Sequence, residues 1–241
     1  MTGRKIFIIT AELIAFMAII ALVVFYSTSS PITDAAHTEP ESTSLPVDPT
    51  PAISAEVEKL DTLQVAGRAP NTGYSREEFG QRWSDDVSVA AGHNGCDTRN
   101  DILRRDLSDL TLKPNTFDCV VLAGTLTDPY SGKVLAFTRG PDTSSKVQID
   151  HVVALADAWQ KGAQLWDADT RRDFANDPRN LLAVDGSLNS QKGAGDAATW
   201  LPPRKEFRCE YARIIVDVKA EYGLWVTPAE KEALRHQLDT C

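Results

Sequence analysis

Five polar side chains in the second half of the chain have the types and the spacing needed to cut a phosphodiester bond. They are Asp150, His151, Asn180, Asn189 and Lys192. Histidine is the usual base that takes a proton from water near neutral pH. Carboxylate and amide oxygens are ligands that a hard divalent cation prefers, and such a cation stabilises charge on a phosphate. Since lysine can hold a phosphate oxygen, the set is a candidate hydrolytic site.

The segments around these residues predict a strand, a second strand and a helix in that order. The stretch "KVQID" is strand-like and ends at the pair Asp150 and His151. Asn180 opens a second short apolar strand, and a turn separates this strand from a helix that carries Asn189 and Lys192. The ends of two paired strands and one helix can bring all five side chains to one place.

This spacing resembles that of HNH endonucleases of the ββα-metal type. In that family an Asp-His pair lies on the first strand, an Asn opens the second, another Asn follows nine residues later on the helix, and a Lys lies three residues further on. From about Tyr74 to its end, the chain also resembles exported actinobacterial HNH proteins related to the C-terminal nuclease domain of GmrSD-type restriction enzymes. The shared phrases are "CDTR", "DPYSG", "IDHVVAL", "FANDPRNL" and "DAATWLPP".

The resemblance implies a role for each residue. His151 would be the general base that activates water, and Asn180 would brace the loop that aims it. Asp150 and Asn189 would bind a divalent metal, Mg²⁺ or alternatively Mn²⁺. Lys192 would contact the phosphate or the loop, although a solvated helix lysine is an equal alternative.

Two arginines outside the motif are candidate contacts to the nucleic acid, for which DNA is the expected class. Arg99 could reach a phosphate from the helix that follows "CDT", and Arg179 precedes Asn180 directly. Arg171 and Arg172 could line the same groove, or they could lie on a solvated helix face. No protein partner is evident in the sequence.

Two features depart from the family pattern. Ala154 stands where many members have Pro shortly after the Asp-His pair. The stretch between His151 and Asn180 is longer than in minimal HNH motifs, and we expect it to hold two added helices. Both features leave the catalytic set intact and bear on substrate preference.

The charge of the chain excludes one class of nucleic-acid protein. The net charge is −9 at pH 7, whereas non-specific wrapping of nucleic acid requires dense Lys and Arg. Two of the 25 Lys and Arg and five of the 34 Asp and Glu precede residue 55, which leaves the rest near −6. This balance mildly favours an alternative function, a non-catalytic cell-envelope interaction module on an HNH-like scaffold.

The N-terminal region predicts export. Arg4 and Lys5 precede an apolar run over 6–26, and about 20 apolar residues span a bilayer. The length favours an uncleaved membrane anchor, and a cleaved signal peptide is the alternative. Residues 27–55 are rich in Ser, Thr and Pro and predict a linker, followed by a nuclease domain over 56–241. We therefore expect a cell-membrane protein with an extracytoplasmic domain, or a secreted one.

The four cysteines agree with an oxidising compartment. Because none forms a C-x-x-C pair and the number is even, we expect two disulfides. Three pairings are possible, of which we prefer Cys96 with Cys119 and Cys209 with Cys241.

The remaining patterns predict an α+β fold in which helices surround a small antiparallel sheet with an embedded ββα-metal motif. Ser75 and Glu78 form an S-x-x-E capping-box pattern. Helical spacing continues through "TRNDILRRDLSDL", 98–110, and two β-branched apolar runs flank the turn "DPYSG" as a hairpin. Two helices near the C-terminus complete the prediction.

Overall fold

The computed structural model describes residues 50–141 and 143–241, so the predicted anchor and most of the predicted linker lie outside the described residues. The described chain is α+β, with seven α-helices and two antiparallel sheets, which confirms the predicted class. None of the helices in this part of the chain has the length and apolar character needed to cross a membrane. The elements in chain order are α1 (Thr50–Thr62), α2 (Thr98–Asp106), β1 (Leu107–Leu112), β2 (Val121–Thr127), β3 (Val134–Thr138), β4 (Val147–His151), α3 (Leu155–Trp159), α4 (Ala168–Asn176), β5 (Leu181–Asp185), α5 (Gly186–Lys192), α6 (Arg208–Glu221) and α7 (Pro228–Leu238).

The strands form a three-stranded sheet and a separate two-stranded hairpin. Strands β1, β2 and β3 pair in that order, and β4 pairs with β5. The predicted hairpin around "DPYSG" is confirmed as β2 and β3. Its turn is held by Asp128, whose carboxylate accepts from the Ser131 amide at 2.8 Å. The same carboxylate accepts from the Asp185 amide at 3.0 Å, which ties this turn to the end of β5.

The helix predicted over 98–110 is too long. Helix α2 ends at Asp106, and the next residues form β1, in which Leu107 pairs with Leu126. The leucine spacing fits both structures, and strand pairing with β2 decides between them. The Asp106 carboxylate also accepts from the Ala183 amide at 2.8 Å, which joins the end of α2 to β5.

The predicted capping box at Ser75 and Glu78 is not formed. Residues Arg76–Phe79 form a single 3₁₀ turn, and the Ser75 side chain makes no capping hydrogen bond. Phe79 is buried in the main core, and Gly80 follows in the left-handed region with φ 74°. The burial of Phe79 and the reversal at Gly80 end the turn before a longer helix can form.

The ββα unit is present as predicted for the motif region. His151 at the end of β4 lies opposite Leu181 at the start of β5. The Asp185 carboxylate caps α5 by accepting from the amides of Ser187 and Leu188, at 2.7 and 3.1 Å. Gly186 is required here, because a Cβ at this position would lie 2.0 Å from the Ser145 carbonyl oxygen.

The stretch between β4 and β5 contains the two expected additional helices. The first, α3, is only five residues long, and α4 is capped by Asp167, which accepts from the Thr170 amide at 2.7 Å. Helices α1, α6 and α7 pack against each other in the main hydrophobic core. A second core lies between α2, the three-stranded sheet and the β4–β5 hairpin.

Both preferred disulfides are present. Cys96 and Cys119 have their Cα atoms 5.2 Å apart, and Cys209 and Cys241 have theirs 5.4 Å apart. The first joins the loop before α2 to the loop before β2, and the second ties the last residue to α6. A disulfide stabilises a folded domain by about 2–4 kcal/mol.

Candidate active site

A cavity of about 480 Å³ lies at the end of strand β4. We call it the His151 cavity. His151 and Gln148 line it from β4, Asn189 lines it from α5, and Arg99 lines it from α2. Much of the opposite wall is the stretch 76–83. The ββα unit therefore presents its histidine and helix asparagine to one concave space.

His151 has one ring nitrogen held by the backbone and the other turned to no described partner. Its Nε2 lies 2.8 Å from the carbonyl oxygen of Ala175. Because a carbonyl oxygen can only accept, Nε2 carries the hydrogen and Nδ1 offers its lone pair. The ring of Trp83 stacks on the imidazole, with 5.9 Å between centroids and 11° between planes. Backbone and indole together fix both the tautomer and the ring plane.

The surroundings keep the imidazole neutral. Burial is the largest cause that lowers the pKa of His151, and with the positive charges of Arg76, Lys192 and Arg82 it brings this pKa to about 4 against the opposing hydrogen bond to Ala175. A histidine with this pKa is unprotonated at neutral pH. Its free nitrogen can therefore accept a proton from a water molecule.

Asn180 is fully buried and holds the chain immediately after His151. Its Oδ1 accepts from the Val153 amide at 2.8 Å, and its Nδ2 donates to the Val153 carbonyl at 3.2 Å. Its own carbonyl accepts from the Val152 amide at 2.8 Å. These three bonds are the contacts that a residue bracing the histidine loop would make.

Asp150 and Lys192 form a buried ion pair behind the cavity. The Lys192 Nζ donates to Asp150 Oδ1 at 2.9 Å and to the His151 carbonyl at 2.8 Å. The Tyr130 hydroxyl donates to Asp150 Oδ2. Burial raises the pKa of Asp150 and outweighs the charge of Lys192 and both hydrogen bonds. Lys192 thus contacts the loop, which is one of its two expected partners.

Asn189 and Arg99 both line the His151 cavity. Asn189 Nδ2 donates to Gln148 Oε1 at 2.8 Å, which leaves its own oxygen free of described donors. Arg99 is partly buried, its guanidinium lies 3.5 Å from the Val147 carbonyl oxygen, and it makes no ion pair with any described residue. Burial and the charge of Arg139 lower the pKa of Arg99. Arg99 is therefore a cation without a balancing anion.

Arg179 does not line the His151 cavity. Its guanidinium Nη2 lies 2.7 Å from Asp177 Oδ2, and its Nη1 lies 3.4 Å from Glu221. Hydrogen bonding to Asp177 raises the pKa of Arg179. Arg171 and Arg172 likewise contact residues of the protein itself, so the predicted basic groove around α4 is not formed by these side chains.

Of the two residues predicted to bind a metal, Asn189 lines the His151 cavity, whereas Asp150 is buried behind it. Asp150 and Asn189 offer oxygen donors of the kind that Mg²⁺ prefers, and each carboxylate oxygen can accept more than one bond. Both carboxylate oxygens of Asp150 already accept hydrogen bonds, one from Lys192 and one from Tyr130, so the donors are of the right kind but are not arranged around one space. The described residues contain no group of three or more His, Cys, Asp or Glu side chains able to hold an ion.

Four residues of the cavity wall bear on the chemistry and were not predicted from the sequence. They are Arg76, Arg82, Trp83 and Gln148. Gln148 could have been found, because it lies two residues before Asp150 on the same strand. The stacking of Trp83 on His151 could not have been found from the sequence, because the two residues are 68 positions apart. The position of Trp83 also depends on its own left-handed backbone conformation, with φ 57°.

Comparisons with known proteins agree with this geometry. The sequence model of the family described as GmrSD restriction endonucleases, C-terminal domain, matches residues 97–237, more than half of the chain. An "Uncharacterized secreted protein" of Arthroderma benhamiae is 33% identical over 229 residues, which cover 94% of this chain and 98% of that protein. No solved structure matches the chain. The matched region contains the whole ββα unit, and the chain belongs to the family of GmrSD restriction endonuclease C-terminal domains, an HNH-type nuclease family.

Proposed function

We propose that the domain is an endonuclease that hydrolyses phosphodiester bonds of DNA. The observation that carries the proposal is the state of His151. One nitrogen is held by the Ala175 carbonyl, the ring is neutral, and the second nitrogen is available in a cavity that also contains Asn189 and Arg99. Restriction endonucleases, for which the family is described, act on DNA, and this supports DNA as the substrate.

In the proposed reaction His151 is the general base. Its Nδ1 removes a proton from a water molecule as the water oxygen forms a bond to phosphorus, and the opposite phosphorus–oxygen bond breaks. Arg99 holds a non-bridging phosphate oxygen. Asn180 keeps the loop after His151 in place, and Lys192 holds the His151 carbonyl so that the ring cannot turn away.

A divalent cation, Mg²⁺ or Mn²⁺, is part of the proposal. Asp150 and Asn189 would hold it, and it would supply charge stabilisation to the phosphate and to the leaving oxygen. Arg179 remains a prediction as a substrate contact, and Asp177 and Glu221 compete for its guanidinium.

We infer that the domain acts outside the cytoplasm. The two disulfides require an oxidising compartment, and the Arthroderma benhamiae relative is described as secreted. The apolar run over 6–26, as a membrane anchor or signal peptide, would deliver the domain there.

A plasmid assay tests the proposal. The purified full chain is incubated with supercoiled plasmid in Mg²⁺ or Mn²⁺, with a chelator as control, and the same is done with a folded RNA. We expect metal-dependent conversion of the plasmid to nicked and linear forms, and no conversion by His151→Gln. A folded chain that cuts no nucleic acid and binds no divalent cation in calorimetry would contradict the proposal and favour a non-catalytic envelope module.

A further inference from the structure

The stretch 76–83, which we call the N-terminal wall segment, lies before the region matched by the family. It supplies seven of the fifteen residues that line the His151 cavity. The match begins only at residue 97. About half of the cavity is therefore built by a part of this chain that the family match does not include.

The N-terminal wall segment is firmly attached to the fold. Phe79 is buried in the main core, where it packs against Phe174 with 6.1 Å between ring centroids. The Glu78 carbonyl accepts from Arg171 Nε at 2.8 Å. At the other end, the Trp83 carbonyl accepts from the Thr98 amide at 3.4 Å, where α2 begins. The segment is held at both ends and so has a fixed position across the cavity from β4.

Trp83 is held in a backbone conformation that bulky residues rarely adopt. Its φ of 57° lies in the left-handed region, which is unfavourable for a non-glycine residue. Such strain is retained where a side chain must point in a particular direction. Here the direction lays the indole on the imidazole of His151.

Arg76 and Arg82 are the cationic residues of the segment, and neither forms an ion pair within the described chain. Both line the cavity and are exposed, and neither makes an ion pair or a side-chain hydrogen bond with any described residue. By contrast, Arg213 and Arg235 elsewhere on the surface pair with Glu210 and Asp61.

A chain of net charge −9 thus has three arginines without carboxylate partners around one cavity, Arg76, Arg82 and Arg99. Glu77 also lines the cavity, and its carboxylate offsets part of the charge of Arg76 and Arg82 without forming an ion pair with either. Unpaired guanidinium groups on a concave surface are suited to phosphate oxygens, which they bind through two parallel hydrogen bonds. Arg99 lies on the α2 wall, and the other two lie on the N-terminal wall segment.

We propose that Arg76 and Arg82 bind phosphate groups of the DNA strand next to the bond that is cut. The substrate groove is then completed by the N-terminal wall segment, outside the family domain. This inference rests on the proposed nuclease function for its choice of ligand, a polynucleotide backbone. The sequence had suggested that Arg171 and Arg172 of α4 could line the groove. The inference places phosphate contacts on the N-terminal wall segment instead.

The salt dependence of DNA binding tests the inference. The full chain carrying His151→Gln, which should not cut, is titrated into a labelled 20-base-pair duplex at several NaCl concentrations in the presence of Ca²⁺. Each phosphate contact contributes about 0.9 to the slope of log K against log salt concentration. The added double change Arg76→Gln and Arg82→Gln should therefore reduce the slope by about 1.8 and weaken binding at low salt.

The matched control is Arg213→Gln with Arg235→Gln, which removes the same charge from the surface away from the cavity. This control should leave the slope unchanged, and thermal melting of each variant checks that it is folded. Equal slopes for the cavity and control variants, or no binding of the duplex by the parent, would overturn the inference. If the wild-type chain cuts DNA but the slopes are equal, only the arginine assignment fails. If the slope changes but the wild-type chain cuts nothing, only the hydrolytic proposal fails.

Discussion

Two buried groups of charged side chains lie in different parts of the domain and are neutralised to different degrees. The hairpin pair consists of Asp150 and Lys192, with the Tyr130 hydroxyl as an additional donor. The helical cluster joins the loop after α1, the helices α3, α6 and α7 and the loop after α5. Its members are Arg68, Asp157, Lys161, Asp196, Lys219 and Glu230.

The helical cluster has three carboxylates and three cations. Lys161 is fully buried and lies within 2.8 Å of carboxylate oxygens of Asp157, Asp196 and Glu230. Burial alone would raise the pKa of Asp196, but the hydrogen bond and charge of Lys161, with the charge of Arg68, outweigh burial and lower it. The cluster therefore stabilises its own charged state and acts as a scaffold between helices.

In the hairpin pair, burial outweighs the opposite charge in setting the pKa of the carboxyl group. Burial raises the pKa of Asp150 even though the Lys192 ammonium lies 2.9 Å from its carboxylate. Burying a pair of charges costs free energy unless enough partners are supplied. The domain supplies enough partners in the helical cluster and too few beside His151. The under-compensated carboxylate lies behind the His151 cavity and directly precedes His151 in the chain.

The largest effect is expected for Lys161→Met. The change leaves three buried carboxylates with only Lys219 and Arg68, and removing one partner of a buried ion pair costs about 3–5 kcal/mol. Urea denaturation should show this loss, while cleavage per folded molecule should not change. The surface control is Lys231→Met, whose pair with Asp61 is worth about 0–1 kcal/mol. A loss for Lys161→Met no larger than that of the control would refute a structural role for the cluster.

Lys192→Met should have a smaller effect on stability and a larger one on cleavage. Asp150 can take up a proton when its partner is removed, because burial already raises its pKa, and the loss of free energy should be about 1–3 kcal/mol. The His151 carbonyl also loses its donor, and a misplaced catalytic group lowers the rate about 10²-fold. Urea denaturation and the initial nicking rate measure both. An unchanged nicking rate would show that Lys192 does not position the loop.

Trp83→Ala tests whether the indole of Trp83 positions the imidazole of His151. Without the indole, His151 keeps its bond to Ala175 but loses the surface that fixes its plane. We expect kcat to fall about tenfold, a loss of ~1.4 kcal/mol of transition-state stabilisation, with little change in KM. Trp83→Phe should restore most of the rate because it keeps a stacking ring. A change in KM alone, or no rescue by Phe in a folded protein, would contradict a positioning role.

The contributions of the two groups to folding stability should change in opposite directions as the pH falls. Asp196 has a lowered pKa, so it contributes stability above the unfolded value of about 3.9, and this is lost as the pH falls further. The pKa of Asp150 is raised in the folded state, so on acidification the folded state takes up this proton before the unfolded state does. The folded state therefore gains stability as the pH falls through the folded pKa of Asp150 toward the unfolded value of about 3.9.

Unfolding free energies measured between pH 6 and pH 3 should therefore fall less steeply in Asp196→Asn than in the wild type. The same curve should fall more steeply in Asp150→Asn. The expected differences are below about 1 kcal/mol per group. Curves that change in the same direction for both variants would remove the distinction between the two groups.

The sequence predicted what depends on local pattern and short spacing. The hairpin around "DPYSG", the ββα unit and the sequence-local disulfides follow from turn residues, apolar runs and neighbouring cysteines, and all are confirmed. Strand β1 was missed, because the spacing of Leu107 and Leu110 fits a helix until β2 is available to pair.

The features of the site and of the helical cluster that were missed depend on long-range packing. Lys161 and Asp196 look like ordinary surface residues in sequence, and only the meeting of several helices buries them together. Arg179 looked available although its main partner, Asp177, lies only two residues before it, and its second partner, Glu221, is distant in the chain. Arg76 and Arg82 gained significance only from their position across the cavity from His151.

The most direct test of the role of His151 is the nicking rate of His151→Gln, measured with its unfolding free energy in the same preparation. Glutamine keeps a polar side chain but cannot act as a base near neutral pH. General base catalysis contributes about 10²–10⁴-fold, so we expect the rate to fall by at least 10²-fold while the unfolding free energy stays within about 1 kcal/mol of wild type. A variant of wild-type stability that still cuts within about threefold of the wild-type rate would contradict the assignment of His151 as the base.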